Sequence, residues 1–133
     1  MFRKIRLLTF ALIMNTLPSL AQSGLVFDRP TWDFGTIRET DGPVTHRFVC
    51  RNEGEHPEVI LQVTTTCGCT TPRYTRKPIL PGEETEITVT YDPANRPGNF
   101  SRELAVFTAD RRIAAKLRIT GSVIGRPKTL EEL

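Results

Sequence analysis

Histidine and cysteine are scarce in this chain, two of one and three of the other in 133 residues. A structural zinc centre takes four such ligands, so the supply is thin for any closed metal site. Tryptophan occurs once, and helical periodicity is absent. No apolar run reaches the roughly 20 residues of a membrane-spanning helix. The sequence also lacks a phosphate-binding glycine loop, a serine, histidine and acid set at nucleophile spacing, and a carboxylate pair that stands apart from scattered surface acids. No catalytic centre is assembled by these residues.

The chain opens with Arg3, Lys4 and Arg6, the apolar run from Leu7 to Met14, and the small residues of Ser19-Leu20-Ala21. This is the pattern of a secretory signal peptide over residues 1–21, cleaved after Ala21. A membrane anchor is disfavoured because Asn15, Thr16, Pro18 and Ser19 interrupt the run early. No cysteine stands at the cleavage point, so no lipid attachment is expected, and nothing beyond it offers a second membrane segment. The protein is therefore expected to be exported, to a periplasm or out of the cell. The leader also carries three of the 18 basic residues, leaving 15 against 15 acidic ones. A neutral mature chain gives no electrostatic reason to bind nucleic acid or anionic lipid.

The mature chain suffices for one compact domain, residues 22–125, with a polar tail over residues 126–133. Its dominant signal is apolar alternation with period two, as in strands with one face in a core. Phe27 and the run Trp32 to Ile37 suggest edge strands. Val44, His46, Phe48 and Cys50 share a face, and Asn52-Glu53-Gly54-Glu55 forms a turn. Val59 to Val63, then Ile87, Val89 and Tyr91, then Leu104, Val106 and Thr108 continue the alternation, which is cleanest from Ile113 to Val123. Seven or eight short strands with turns about every ten residues describe a two-sheet β-sandwich, with a small barrel as the alternative. An immunoglobulin domain proper sets its core tryptophan between two cysteines. Here Trp32 precedes all three cysteines and reads as a packed core or edge aromatic.

The one reactive grouping is Cys67-Gly68-Cys69, flanked by Thr66 and Thr70 at the end of the Val59 to Val63 strand. Such a loop is expected to display its thiols outside the hydrophobic interior. An extended backbone separates residues i and i+2 by roughly 6.5 to 7 Å between Cα atoms, at or past the limit for a disulfide. A bridge therefore needs a bend, which Gly68 permits. Arg73, Arg76 and Lys77 could lower a thiol pKa if the loop folds back on itself. Alternatively, the two thiolates could hold a soft ion such as copper(I), which tolerates few ligands. His46, on the apparent core face, and His56, in a turn, are better read as packed and solvated than as ligands. Thiol-disulfide exchange is a further alternative, although a dedicated oxidoreductase normally sets Cys-x-x-Cys at a helix start.

The ordered set Phe34-Gly35-Thr36-Ile37, Thr45-His46-Arg47-Phe48, Asn52-Glu53-Gly54, Thr66-Cys67-Gly68-Cys69-Thr70, Pro81-Gly82-Glu83, Tyr91-Asp92-Pro93 and Arg96-Pro97-Gly98-Asn99-Phe100 resembles the bacterial exported domain-of-unknown-function family 1573. The likeness covers nearly all of the mature chain and implies an immunoglobulin-like antiparallel β-sandwich of the Hydin and major-sperm-protein kind. Such sandwiches mostly serve as binding or assembly modules. Cys50 departs from the family pattern, standing where a phenylalanine or similar core residue is expected. It reads as a small buried hydrophobe, or as a partner for Cys67 or Cys69.

These readings converge on an exported, non-catalytic binding or assembly module with a protein or polysaccharide partner. Its focus is the Cys-Gly-Cys loop, and Arg73, Tyr74, Arg76, Arg96 and Asn99 are the candidate contact residues in neighbouring loops. No resident cofactor is expected, copper(I) being the sole candidate.

Overall fold

The computed structural model describes residues 23–133; the expected signal peptide and its cleavage point lie outside the described residues. Eight strands follow in order: β1 (Leu25–Phe27), β2 (Thr31–Arg38), β3 (Val44–Asn52), β4 (Ile60–Thr65), β5 (Thr70–Arg73), β6 (Glu84–Tyr91), β7 (Gly98–Thr108) and β8 (Ile113–Ile124). They form two four-stranded sheets, ordered β1-β3-β6-β5 and β2-β8-β7-β4. Single 3-10 turns at Glu39–Asp41 and Leu130–Glu132 are the other regular elements.

The alternation is the cause of this architecture. Phe48, Ile87, Val89 and Tyr91 from one sheet meet Ile60, Leu104, Val106, Leu117 and Ile119 from the other, each at most 1% exposed. Burying one such side chain contributes roughly 1.5–3 kcal/mol, so the two apolar faces hold the layers together. Period two from Val44 continues through Phe48 and Cys50 to Asn52, all facing inward. Ile113 is the exception in β8. A register shift opposite Val106 and Phe107 leaves it 52% exposed, and the inward series begins at Ala115.

All neighbouring strands run antiparallel except β2 and β8, which pair in parallel. The first two strands belong to different sheets, joined by the short link through Pro30. A bulge between Asp33 and Thr36 kinks β2, where Gly35 takes a φ of +71° and donates its N–H to the Asp33 carboxylate at 2.8 Å. A side chain at that φ would be strained.

Asn52 ties one end of the sandwich. Fully buried, it donates from Nδ2 to the carbonyls of His56 and Ile79, both at 2.8 Å, and accepts at Oδ1 from the Gly54 N–H at 2.9 Å. Its own backbone pairs with Glu83 O and Gly82 N. The Asn52-Glu53-Gly54 and Pro81-Gly82-Glu83 turns are thus one hydrogen-bonded unit. Gly24 seats against it so closely that a Cβ there would lie 2.5 Å from Asn52 Oδ1. The tail is drawn in by Glu39, whose carboxylate accepts from the Asn95 and Arg126 N–H groups at 2.7 and 3.0 Å. Those bonds, the Arg126 one first, hold its pKa below the ordinary carboxylate value. Among the described residues no helix is long and apolar enough to cross a membrane.

Candidate functional site at the Cys-Gly-Cys crossover

β4 is an edge of one sheet and β5 an edge of the other. Residues 66–69 between them carry the chain across the seam of the sandwich. Cys67 and Cys69 are joined as a disulfide within this crossover, their Cα atoms 5.2 Å apart. The bend expected of Gly68 is therefore present. Backbone bonds hold the loop as well: Thr70 N–H donates to Cys67 O at 3.2 Å and Asp92 N–H to Cys69 O at 2.9 Å. The second bond extends the β5–β6 pairing by one residue.

That extension corrects the expectation of a thiol pair displayed outside the core. Cys69, pinned against β6, is 5% exposed and belongs to the hydrophobic cluster, while Cys67 is half-buried beside it. Thr66 and Gly68 face solvent and Thr70 is buried. The sulfurs are not equivalent. Cys67 Sγ accepts from the Cys69 N–H at 3.2 Å, and Cys69 Sγ lies 3.5 Å from Thr70 Oγ1. Closing so short a ring removes only about 1.6 kcal/mol of unfolded-chain entropy, roughly half that of a 15-residue loop.

Cys50 takes no part. It is a free thiol, 1% exposed, facing Phe27 and Thr85 across the ladder. The reading of Cys50 as a partner for Cys67 or Cys69 is overturned by register. Tyr91, next to the crossover, pairs with Val44 at the other end of β3, on the order of 20 Å from Cys50 at about 3.3 Å per residue. Burial pushes its thiol up to about 11, which leaves it protonated and unreactive at neutral pH.

Neither imidazole joins the sulfurs. His46 stacks on Trp32 with centroids 4.0 Å apart and planes 6° apart, and meets Phe48 edge-on at 4.7 Å. Burial there lowers its pKa. Trp32 is thus packed between the sheets, as its reading from sequence has it. His56 sits exposed in the turn that Asn52 organises. Among the described residues no group of three histidine, cysteine or acidic side chains is placed to hold a metal. A disulfide also withholds the thiolates that copper(I) requires.

The contact-loop candidates divide. Arg96 lies in the loop that leaves β6 at Asp92, directly from the residue bonded to Cys69, whereas Asn99 is already in β7, paired with Ser122; both residues are exposed. Arg73 lies about 10 Å along β5 from Thr70, on the solvent face and opposite Thr88, away from the sulfurs. Arg76 is exposed in the segment that returns toward Ile79, and Tyr74 packs against the core. Sequence reasoning took Asn52 for a turn residue. Its position at the end of the inward series from Val44 was the signal of its burial. Also missed was the stack of Tyr91 on Phe100, 3.9 Å apart, which a Cβ at Gly121 would enter at 2.6 Å.

Together these features describe a small two-sheet sandwich with one disulfide at its seam. Residues 25–123 match the family described as "Protein of unknown function (DUF1573)", and the chain belongs to it. A protein of unknown function from Porphyromonas gingivalis W83 is similar over 83% of this chain and 51% of its own, with a TM-score of 0.64 and 19% identity. The VesB protease of Vibrio cholerae is similar over 74% of this chain and 32% of its own, with a TM-score of 0.62 and 17% identity. The secreted serine protease VesC of the same organism is similar over 80% and 24%, with a TM-score of 0.59 and 14% identity. The chain thus spans about half of the first protein and a third or less of the two proteases, and the likeness is one of fold. No curated protein matches.

Proposed function

We propose that this protein is an exported, non-catalytic binding or assembly module of immunoglobulin-like type, which recognises an extended polypeptide at an open strand edge. One observation carries this reading. β2 covers β8 only from Arg118 onward, its line closed by the Arg118 N–H on Pro30 O. On that side the edge of residues 113–117 has no strand neighbour among the described residues. It faces a groove of about 770 Å³ between β1 and β8, walled by Leu25, Phe27, Pro30, Ile113, Ala115 and Lys116. Unpaired strand edges capture extended chains through main-chain hydrogen bonds, and Pro30, immediately before the first residue of β2, has no N–H with which to carry that strand's pairing further along the slot.

Export rests on the leader pattern, and a family of unknown function with a neighbour of unknown function accords with a module without chemistry of its own. The test is site-specific photo-crosslinking in the exported full chain. A benzophenone at Lys116 is expected to give a discrete adduct with another polypeptide, whereas one at Glu86, on the outer face of β6, gives none. Equal labelling from both positions, or none from Lys116, contradicts the reading.

A further inference from the structure

The crossover is a better candidate for thiol chemistry than its short spacing suggests. Of the two residues Cys67 is half-buried at the margin of the core, while Cys69 is 5% exposed and belongs to the core cluster. Exchange requires attack along the sulfur–sulfur axis, on the sulfur that an incoming thiolate can reach. With Cys69 the more deeply buried of the two, Cys67 is the side from which a thiolate has the shorter way in. Each sulfur then has a donor suited to negative charge: Thr70 Oγ1 lies 3.5 Å from Cys69 Sγ, and Cys69 N–H donates to Cys67 Sγ at 3.2 Å.

The loop also keeps its shape by bonds that do not involve sulfur. Cys67 O and Cys69 O are both held by backbone N–H groups, and β5 is paired with β6 from Thr70 to Arg73. Opening the ring therefore leaves the two thiols side by side and ready to close again. Cys50, buried and remote in register, is not positioned to scramble the pair.

We propose that Cys67–Cys69 is an exchange site for small aliphatic thiols, in which Cys67 is the sulfur attacked and Cys69 the leaving group. The thiolate bonds to Cys67 Sγ, the Cys67–Cys69 bond breaks, and its electron pair leaves on Cys69, which takes a proton from water. A second thiolate attacks the sulfur of the bound thiol, releasing a small disulfide and leaving the electron pair on Cys67. Two thiols lose two electrons in all and the cysteine pair gains them. In reverse, the Cys67 thiolate attacks a small disulfide and Cys69 closes the ring. This site is distinct from the β1–β8 groove and does not depend on it.

The experiment uses the exported full chain in buffers of varied glutathione and glutathione disulfide ratio, quenched with acid, alkylated and mass-mapped, with far-ultraviolet circular dichroism recorded at each ratio. Cys67 and Cys69 are expected to titrate together and reversibly while the spectrum stays unchanged and Cys50 stays unlabelled. Labelling of the pair only after denaturation overturns the proposal. The direction of attack is read from single variants. Cys69→Ser is expected to react with a dinitro aromatic disulfide at least roughly tenfold faster than Cys67→Ser, as accessibility dictates. Equal or reversed rates refute the assignment of Cys67. The wild-type titration decides the first point even if a variant fails to fold.

Discussion

The two ends of the β3–β6 pair are closed by opposite means. Where β3 finishes, the buried Asn52 ties its surrounding turns into one polar unit, with each of its side-chain atoms that can bond doing so. Where β3 begins, beside Tyr91 and the crossover, the closure is covalent, yet the loop would largely persist without it. The noncovalent end is the one that the fold cannot lose, because a buried amide removed strands three backbone groups. The covalent end is free to serve chemistry.

Asn52→Ala would break that comparison most severely. Loss of three hydrogen bonds, one fully buried and two part-buried, is expected to cost about 3–4 kcal/mol, read as a lower urea midpoint. An effect below that of the disulfide variants would reverse the ranking of the two ends. Next in size is the alkaline response of Cys50, two residues before Asn52. Its thiol ionises only near 11 in the fold, so the native state holds a proton that the unfolded chain gives up at lower pH. Stability is full below the ordinary thiol pKa and declines by about 2 kcal/mol as pH rises toward 11. Cys50→Ala should flatten that decline relative to wild type, and parallel curves would contradict the assignment.

At the covalent end, the double change Cys67→Ala, Cys69→Ala, which puts no hydroxyl at the buried position, is expected to cost about 1.6 kcal/mol through the lost loop closure, with strands intact by circular dichroism. Cooperative loss of structure would show that the crossover depends on sulfur after all. Smallest is the His46 effect. Burial lowers its pKa, so its contribution is present above the ordinary histidine value and fades as pH falls through the folded one. Trp32 fluorescence should change over that acid range in wild type and not in His46→Gln, since the rings stack at 4.0 Å.

Much of this was legible beforehand. Alternation through Phe48, Ile87 to Tyr91 and Leu104 to Thr108 set which faces meet, because period two leaves no other way to bury them. What escaped depends on contacts distant in sequence. The parallel pairing of β2 with β8 joins opposite ends of the domain, and nothing local marks it. Cys69 is buried by a bond from Asp92, far along the chain, so its immediate neighbours gave no sign of it. Asn52 was overlooked for the opposite reason: a strong turn signature masked its place on the inward face.

The pairing of the cysteines can be measured directly by intact mass of the purified protein, denatured and alkylated with and without reductant. One alkyl group without reductant, on Cys50, and three with it are the predicted result. Three without reductant would remove the disulfide, and a single group mapped to Cys67 or Cys69 would mean that Cys50 is bridged and the register of the fold is wrong.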